Sequence, residues 1–203
     1  MIFIKEMINT AVILTGGKSS RYGRPKGLET VDGQTLVKKI ANEIRAAGIL
    51  NIYLSTNEPE KYADLGFPTI PDKFLDCGPL AGIHSALVET KADKILVLPC
   101  DLPAITSSEI KKILEAAIDD PKPVVFAVTE SRDHPLCSIV SSELNESIES
   151  ALVRGLHSAY KFFRSVDHGT VFFEDESPFY NVNTQEDLKE WDVKKSLTRQ
   201  PCE

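Results

Sequence analysis

Short runs of apolar residues alternate along the chain with segments in which apolar residues recur every three or four positions, and this pattern predicts an α/β fold. The runs 11–14 and 95–98 are uninterrupted aliphatic stretches, typical of strands buried on both faces. Further strands are predicted over 49–55, 66–71, 124–128, 136–140 and 170–173, and helices over 35–47, 79–88, 107–118, 143–153, 157–163 and 184–191. We therefore expect a largely parallel sheet that is covered by helices on both faces.

The length of 203 residues suits one domain with a substantial core. No linker rich in Gly, Pro or Ser divides the chain, so we expect a single domain over residues 1–191. From Asp192 onward the sequence is polar and lacks periodicity, and residues 192–203 are expected to form a frayed tail.

The charge balance excludes some classes of partner. With 30 acidic residues against 23 basic ones the formal net charge is −7, which argues against binding to nucleic acid or to an anionic membrane. The four cysteines form no C-x-x-C pair, as expected for a protein of a reducing compartment. We find neither a signal-peptide pattern nor an apolar run of about 18 residues, so a cytoplasmic location is expected.

The loop after the first strand carries the clearest chemical signal. Between Gly16 and Lys26 it has four basic residues and no acidic one. The adjacent Gly16 and Gly17 let backbone N–H groups approach an anion, and ligands of open α/β sheets lie beyond the carboxyl ends of strands. The spacing fits neither a Walker loop nor a G-x-G-x-x-G loop. A polyphosphate site is favoured, and a solvated loop that uses its glycines for turning is the alternative.

A second candidate is Asp101, which follows the buried strand 95–98. An Asp at such a position often only caps a helix, but the capping box at 106–109 already serves the next helix. A carboxylate in this place suits Mg²⁺, which prefers one or two carboxylates together with phosphate oxygens. We expect Asp101 to hold a metal ion, with a structural role as the alternative.

Taken together, these residues resemble the nucleotidyltransferases with a Rossmann-like fold, and most closely the molybdenum cofactor guanylyltransferases. The matching segments are L-T-G-G-K-S-S-R-Y-G-R-P-K at 14–26, Asp72 followed by G-P-L-A-G-I at 78–83, P-C-D-L-P at 99–103, R-D-H-P at 132–135 and N-V-N-T at 181–184. The first loop and P-C-D are shared across the superfamily, whereas G-P-L-A-G and N-V-N-T indicate the guanylyltransferase branch. The resemblance implies a three-layer α/β/α Rossmann-like nucleotidyltransferase fold with a mostly parallel sheet.

The resemblance also implies roles for individual residues on the nucleotide side. The implied nucleotide contacts are Leu14, Thr15, Gly16, Gly17, Lys26, Ser55, Asp72 and Asp101. The implied catalytic residues are Arg21, Lys26 and Asp101, with Asp101 as the ligand of Mg²⁺. Asp72 would meet the guanine or the ribose, and a carboxylate can accept from both N1–H and N2–H₂ of guanine. The alternative for Asp72 is a turn residue after Pro71.

On the acceptor side the resemblance points to His134, Asn181 and Asn183. Asn181 and Asn183 alternate on an extended segment, so their side chains project to the same face. Their amides are suited to hydrogen bonds with a polar ring. The alternative is a structural role as the segment that leads into the N-cap of the last helix. For His134 the resemblance implies a role toward the pterin, and the alternative is a structural role within its turn.

The function that the resemblance implies is transfer of GMP from GTP to the phosphate of molybdopterin or the molybdenum cofactor, with release of pyrophosphate and with Mg²⁺ as cofactor. Other proteins of cofactor biosynthesis, or target apo-enzymes, are the implied protein partners. G-x-P-K at 23–26 is also seen in cytidylyltransferases, so a related enzyme using CTP or another phosphorylated acceptor is an alternative. A non-catalytic nucleotide-binding protein is a second alternative.

Overall fold

A computed structural model describes residues 8–16 and 25–182 together with Asp187. Its main sheet has seven strands in the order β5-β4-β1-β6-β8-β7-β9, and β2 and β3 form a separate ribbon. The strands are β1 Thr10–Leu14, β2 Thr30–Val31, β3 Gln34–Thr35, β4 Asn51–Ser55, β5 Thr69–Ile70, β6 Lys94–Pro99, β7 Val124–Val128, β8 Asp133–Ser141 and β9 His168–Phe172. The helices are α1 Leu36–Ala46, α2 Pro59–Tyr62, α3 Gly78–Thr90, α4 Ser107–Asp119, α5 Asn145–Val153 and α6 Ala159–Phe163.

The sheet separates two hydrophobic cores, as predicted. Successive residues of β1 point to opposite faces, so Ile13 joins one core and Val12 the other. The first core is completed by apolar residues of α1 and α4, and the second by those of α3, α5 and α6. Every residue of β1 is buried, which explains its continuous apolar run. The fold is therefore a three-layer α/β/α arrangement.

The sheet is mostly parallel, but β8 runs antiparallel to both of its neighbours, β6 and β7. The polar stretch 129–134 was expected to be a turn, whereas β8 already begins at Asp133. The pairing with β7 jumps from Ser138 to His134, so the segment between them bulges out of the ladder. Pro135 lies in this bulge, where its missing N–H removes no ladder hydrogen bond.

Helix α4 begins at the capping signal that the sequence predicts. The side chain of Thr106 accepts from the backbone at the start of α4 while Glu109 bonds back to the Thr106 N–H, completing the predicted capping box. The sequence analysis missed the β2–β3 ribbon, whose turn has positive φ at Asp32 and Gly33. An Asp-Gly pair of this kind is the usual signal for a tight hairpin turn.

Some predictions fall outside the described residues. They are the site residues Gly17, Arg21 and Asn183, the tail over 192–203, and the last helix, of which only Asp187 is described. Within the part of the chain that the structure describes, we find no helix that is both long and apolar enough to cross a membrane.

Candidate active site

Most of the predicted site residues meet along one edge of the main sheet. The parallel strands β5, β4, β1 and β6 end there, and the reversed β8 begins there. Following the strand order, the residues along the edge are Asp72, Ser55, Thr15, Asp101 and His134. An edge at which parallel strands end is where open α/β sheets bind their ligands.

Backbone hydrogen bonds fix the segment that follows β1. The N–H and the hydroxyl of Thr15 both donate to the carbonyl of Ser55, at 3.1 and 2.8 Å. On the other side, the N–H of Cys100 donates to the Leu14 carbonyl at 3.1 Å. A Cβ placed on Gly16 would meet no atom of the described residues within 4 Å. The segment is thus held on both sides, and no described residue crowds its glycine.

Asp72 lies beside Ser55 and Asn57. The Ser55 hydroxyl donates to Oδ1 of Asp72 at 3.3 Å, and Nδ2 of Asn57 donates to Oδ2 at 3.0 Å. Burial raises the pKa of Asp72, while the bonds from Asn57 and Ser55 act in the opposite direction. Asn57 was not predicted as a site residue. It lies two residues beyond Ser55, and this closeness in sequence is the signal that points to it.

Helix α3 approaches this carboxylate closely through Gly82. A Cβ on Gly82 would lie 2.5 Å from the Ser55 hydroxyl oxygen and 3.3 Å from Oδ1 of Asp72. The side of α3 that carries Gly82 therefore closes the back of the Ser55–Asp72 pair. This close approach gives a physical reason for the glycine in the G-P-L-A-G segment.

Lys26 and Asp101 form an ion pair at the centre of the edge. Nζ of Lys26 donates to Oδ2 of Asp101 at 2.6 Å, and both side chains are mostly buried. Oδ1 of Asp101 is buried and has no hydrogen-bond partner among the described residues. A buried carboxylate oxygen without a partner is costly, so it is suited to a ligand that carries positive charge.

Asp101 is also well placed to bind a cation with few protein ligands. The described residues contain no cluster of three His, Cys, Asp or Glu side chains around a common point. The capping box of α4 leaves the Asp101 side chain without a capping role, as the sequence predicted. A metal bound here would draw its other ligands from water and substrate phosphates, as Mg²⁺ commonly does.

The other end of the edge is formed by the start of β8 and the segment around Asn181. The His134 ring is buried, stacks on Phe179 with centroids 4.4 Å apart, and hydrogen-bonds through Nε2 with the Thr129 hydroxyl at 3.2 Å. Burial, with a smaller contribution from Arg132, lowers the pKa of His134 to about 4. The imidazole is therefore neutral at physiological pH.

Arg132 connects this end of the edge to Asn181. Its guanidinium donates to the Phe179 carbonyl at 3.1 Å and to Oδ1 of Asn181 at 3.2 Å. The N–H of Val182 then donates to the Asp101 carbonyl at 2.9 Å, which places Asn181 next to the central ion pair. The sequence analysis quoted Arg132 within R-D-H-P but assigned it no role.

Solved structures with the same architecture include molybdopterin-guanine dinucleotide biosynthesis protein A from Archaeoglobus fulgidus. It has a TM-score of 0.77 and 17% identity, with 92% of this chain and 98% of that chain covered. CMP:2-keto-3-deoxy-manno-octonic acid synthetase, solved with CTP, has a TM-score of 0.72 and 13% identity, with coverage of 94% and 99%. At these identities the similarity establishes the nucleotidyltransferase fold.

Sequence comparison identifies the family more narrowly. A molybdenum cofactor guanylyltransferase of Haemophilus influenzae (strain 86-028NP) is 35% identical over 184 residues, which are 89% of this chain and 95% of the relative. One of Syntrophotalea carbinolica is 32% identical over 191 residues, with 90% of each chain covered. The model of the MobA-like NTP transferase domain matches residues 11–170. The chain therefore belongs to the MobA-like NTP transferase family and is a nucleotidyltransferase.

Proposed function

We propose that this nucleotidyltransferase transfers GMP from GTP to the phosphate of molybdopterin or of the molybdenum cofactor and releases pyrophosphate. Relatives that match almost the whole chain carry the name molybdenum cofactor guanylyltransferase. The observation that carries the proposal is the order of side chains along the sheet edge, with Asp72 at one end, the Lys26–Asp101 pair in the centre and Asn181 beyond it.

The nucleotide lies along the first half of this edge. Asp72 follows β5 and Asp101 follows β6, and three strand spacings separate these strands, or roughly 14 Å. The base is held by Asp72, the sugar passes over the Thr15–Gly16 segment, and the phosphates reach Lys26. Ser55 and Leu14 support this path through the hydrogen bonds that fix the start of the loop.

Lys26 and Asp101 provide the electrostatics at the reacting phosphates. Mg²⁺ bound by Asp101 would neutralise charge on the triphosphate, and the unpartnered Oδ1 supports this assignment. When Asp101 engages the cation, the Lys26 ammonium can turn to the triphosphate oxygens and stabilise negative charge there. Arg21, from the same loop, is proposed to assist.

The acceptor occupies the second half of the edge. Asn181, held by Arg132, offers its amide to the pterin, and Asn183 is proposed to act beside it. His134 supports this half through its stacking on Phe179. The acceptor phosphate oxygen attacks the α-phosphorus in line, and no general base is needed because this oxygen is ionised at neutral pH. Catalysis therefore rests on positioning and on charge stabilisation.

The test measures nucleotide binding and product release separately. The protein is titrated with GTP, CTP and ATP in the presence of Mg²⁺, and pyrophosphate is then measured after addition of molybdopterin. We expect the tightest binding for GTP and pyrophosphate release only with acceptor present. Tighter binding of CTP would favour a cytidylyltransferase, and GTP binding without pyrophosphate release would favour a non-catalytic nucleotide-binding protein.

The same proposal includes a cellular setting. We place the protein in the cytoplasm, with partners that supply molybdopterin or receive the finished cofactor. The free thiols of Cys77, Cys100 and Cys137 support a reducing compartment.

A further inference from the structure

Asn57 and Asp72 are joined by a reciprocal pair of hydrogen bonds. Nδ2 of Asn57 donates to Oδ2 of Asp72 at 3.0 Å, and the backbone N–H of Asp72 donates to Oδ1 of Asn57 at 2.8 Å. The amide of Asn57 thus uses both its donor and its acceptor on one residue, and only one orientation of the amide plane satisfies both bonds. An aspartate side chain in place of Asn57 would have the same shape but would lack the N–H donor to Asp72.

We propose that Asn57 is a positioning residue for nucleobase specificity, which holds the Asp72 carboxylate in the plane needed to bind the guanine edge. The inference rests on the proposed function, in which Asp72 meets the base. Rotation about the terminal torsion of an Asp side chain is otherwise broad, so a carboxylate without such a partner turns easily. Bonds to both oxygens, from Asn57 and from Ser55, restrict that rotation.

The restricted carboxylate keeps its capacity for the ligand. Each oxygen of Asp72 accepts one bond from the protein and retains a lone pair. Guanine presents two donors on one edge, N1–H and N2–H₂, and the two oxygens can each accept one of them. Cytosine and adenine do not present such a pair of adjacent ring and exocyclic donors. The plane of the carboxylate therefore decides whether both bonds form together.

Asn57 also favours the form of Asp72 that accepts. Burial raises the pKa of Asp72, and the bond from Asn57 is the largest of the effects that oppose this shift. A protonated carboxyl would donate from one oxygen and would lose one of its two contacts with guanine. The amide thus stabilises both the orientation and the ionised state of Asp72.

The test compares the variants N57A and N51A. Asn51 is an exposed Asn at the start of β4, and Asn57 lies two residues beyond the end of that strand, so N51A is a matched control. Affinities for GTP and for inosine triphosphate, which keeps N1–H but lacks the 2-amino group, are measured by calorimetry with Mg²⁺. We expect N57A to weaken GTP binding about tenfold and inosine triphosphate binding clearly less, because one of two bonds to the base is lost. N51A should change neither affinity.

The ratio of the two affinities separates positioning from a general structural effect. An equal loss for GTP and inosine triphosphate, or no loss for either, would overturn the role of Asn57. S55A serves as a second variant if N57A does not fold, and it should lower the same ratio by a smaller factor, since its bond to Asp72 is longer. If the unaltered protein binds CTP more tightly than GTP, the proposed function itself fails, whatever N57A does.

Discussion

Replacing Gly82 by Ala tests whether the close approach of α3 shapes the nucleotide site. The new Cβ would lie 2.5 Å from the Ser55 hydroxyl oxygen and 3.2 Å from a methyl carbon of Leu14. Overpacking of this kind costs about 1–3 kcal/mol. Ala is favoured over Gly inside a helix by about 1 kcal/mol, which offsets part of that cost. We expect a net destabilisation of about 1 kcal/mol.

The free energy of unfolding is measured by urea denaturation, and the melting temperature should fall by about 2–4 °C. GTP affinity should fall as well, by roughly fivefold, because the displaced Ser55 hydroxyl can no longer donate to Asp72. The double variant S55A/G82A removes the oxygen that the Cβ meets, so it should be more stable than G82A alone. If G82A is as stable as the original protein and binds GTP equally well, the steric argument is refuted.

Three further predictions concern other parts of the molecule. Lys26→Ala should slow pyrophosphate release about 10²–10³-fold, since it removes the cation paired with Asp101, and unchanged turnover would contradict its role. His134 has a pKa of about 4 in the folded state against an ordinary 6.5, so above pH 6.5 the ring is neutral in both the folded and the unfolded chain and its contribution to stability is fully present. That contribution should be lost as the pH falls from 6.5 toward 4, by up to about 1.4 kcal/mol per pH unit, and His134→Phe should have the shallower dependence in urea denaturation. An equal dependence in both proteins would show that the histidine is not buried as described. Thr106→Ala breaks the capping box of α4 and should lower the free energy of unfolding by about 1 kcal/mol with unchanged GTP affinity; a drop in affinity would link that helix end to the site.

Local patterns were sufficient to predict much of the fold. The aliphatic run of β6 and the capping box of α4 express their structure within a few residues, so both predictions are confirmed. The direction of β8 could not be predicted in this way, because an apolar run has the same period whether its partner is parallel or antiparallel. Pairing direction is set by tertiary contacts instead.

In the site, too, local motifs predicted some residues, whereas others depend on tertiary contacts. Lys26 and Asp101 are far apart in sequence, and their separate motifs suggested two halves of a phosphate and metal site that the fold brings to within 2.6 Å. Asn57 and Arg132 act on other site residues, so their importance depends on partners that no local spacing specifies.

The reversed direction of β8 has a consequence for how such an enzyme can change over evolutionary time. Because β8 begins where its neighbours end, the proposed acceptor residue His134 comes from a chain segment separate from those that carry the proposed nucleotide residues. The hydrogen bond from Val182 to the Asp101 carbonyl joins the two sides through backbone atoms, which tolerate side-chain replacement. Under the proposed function, substitutions between 129 and 134 would therefore alter acceptor recognition while leaving the proposed nucleotide residues unchanged.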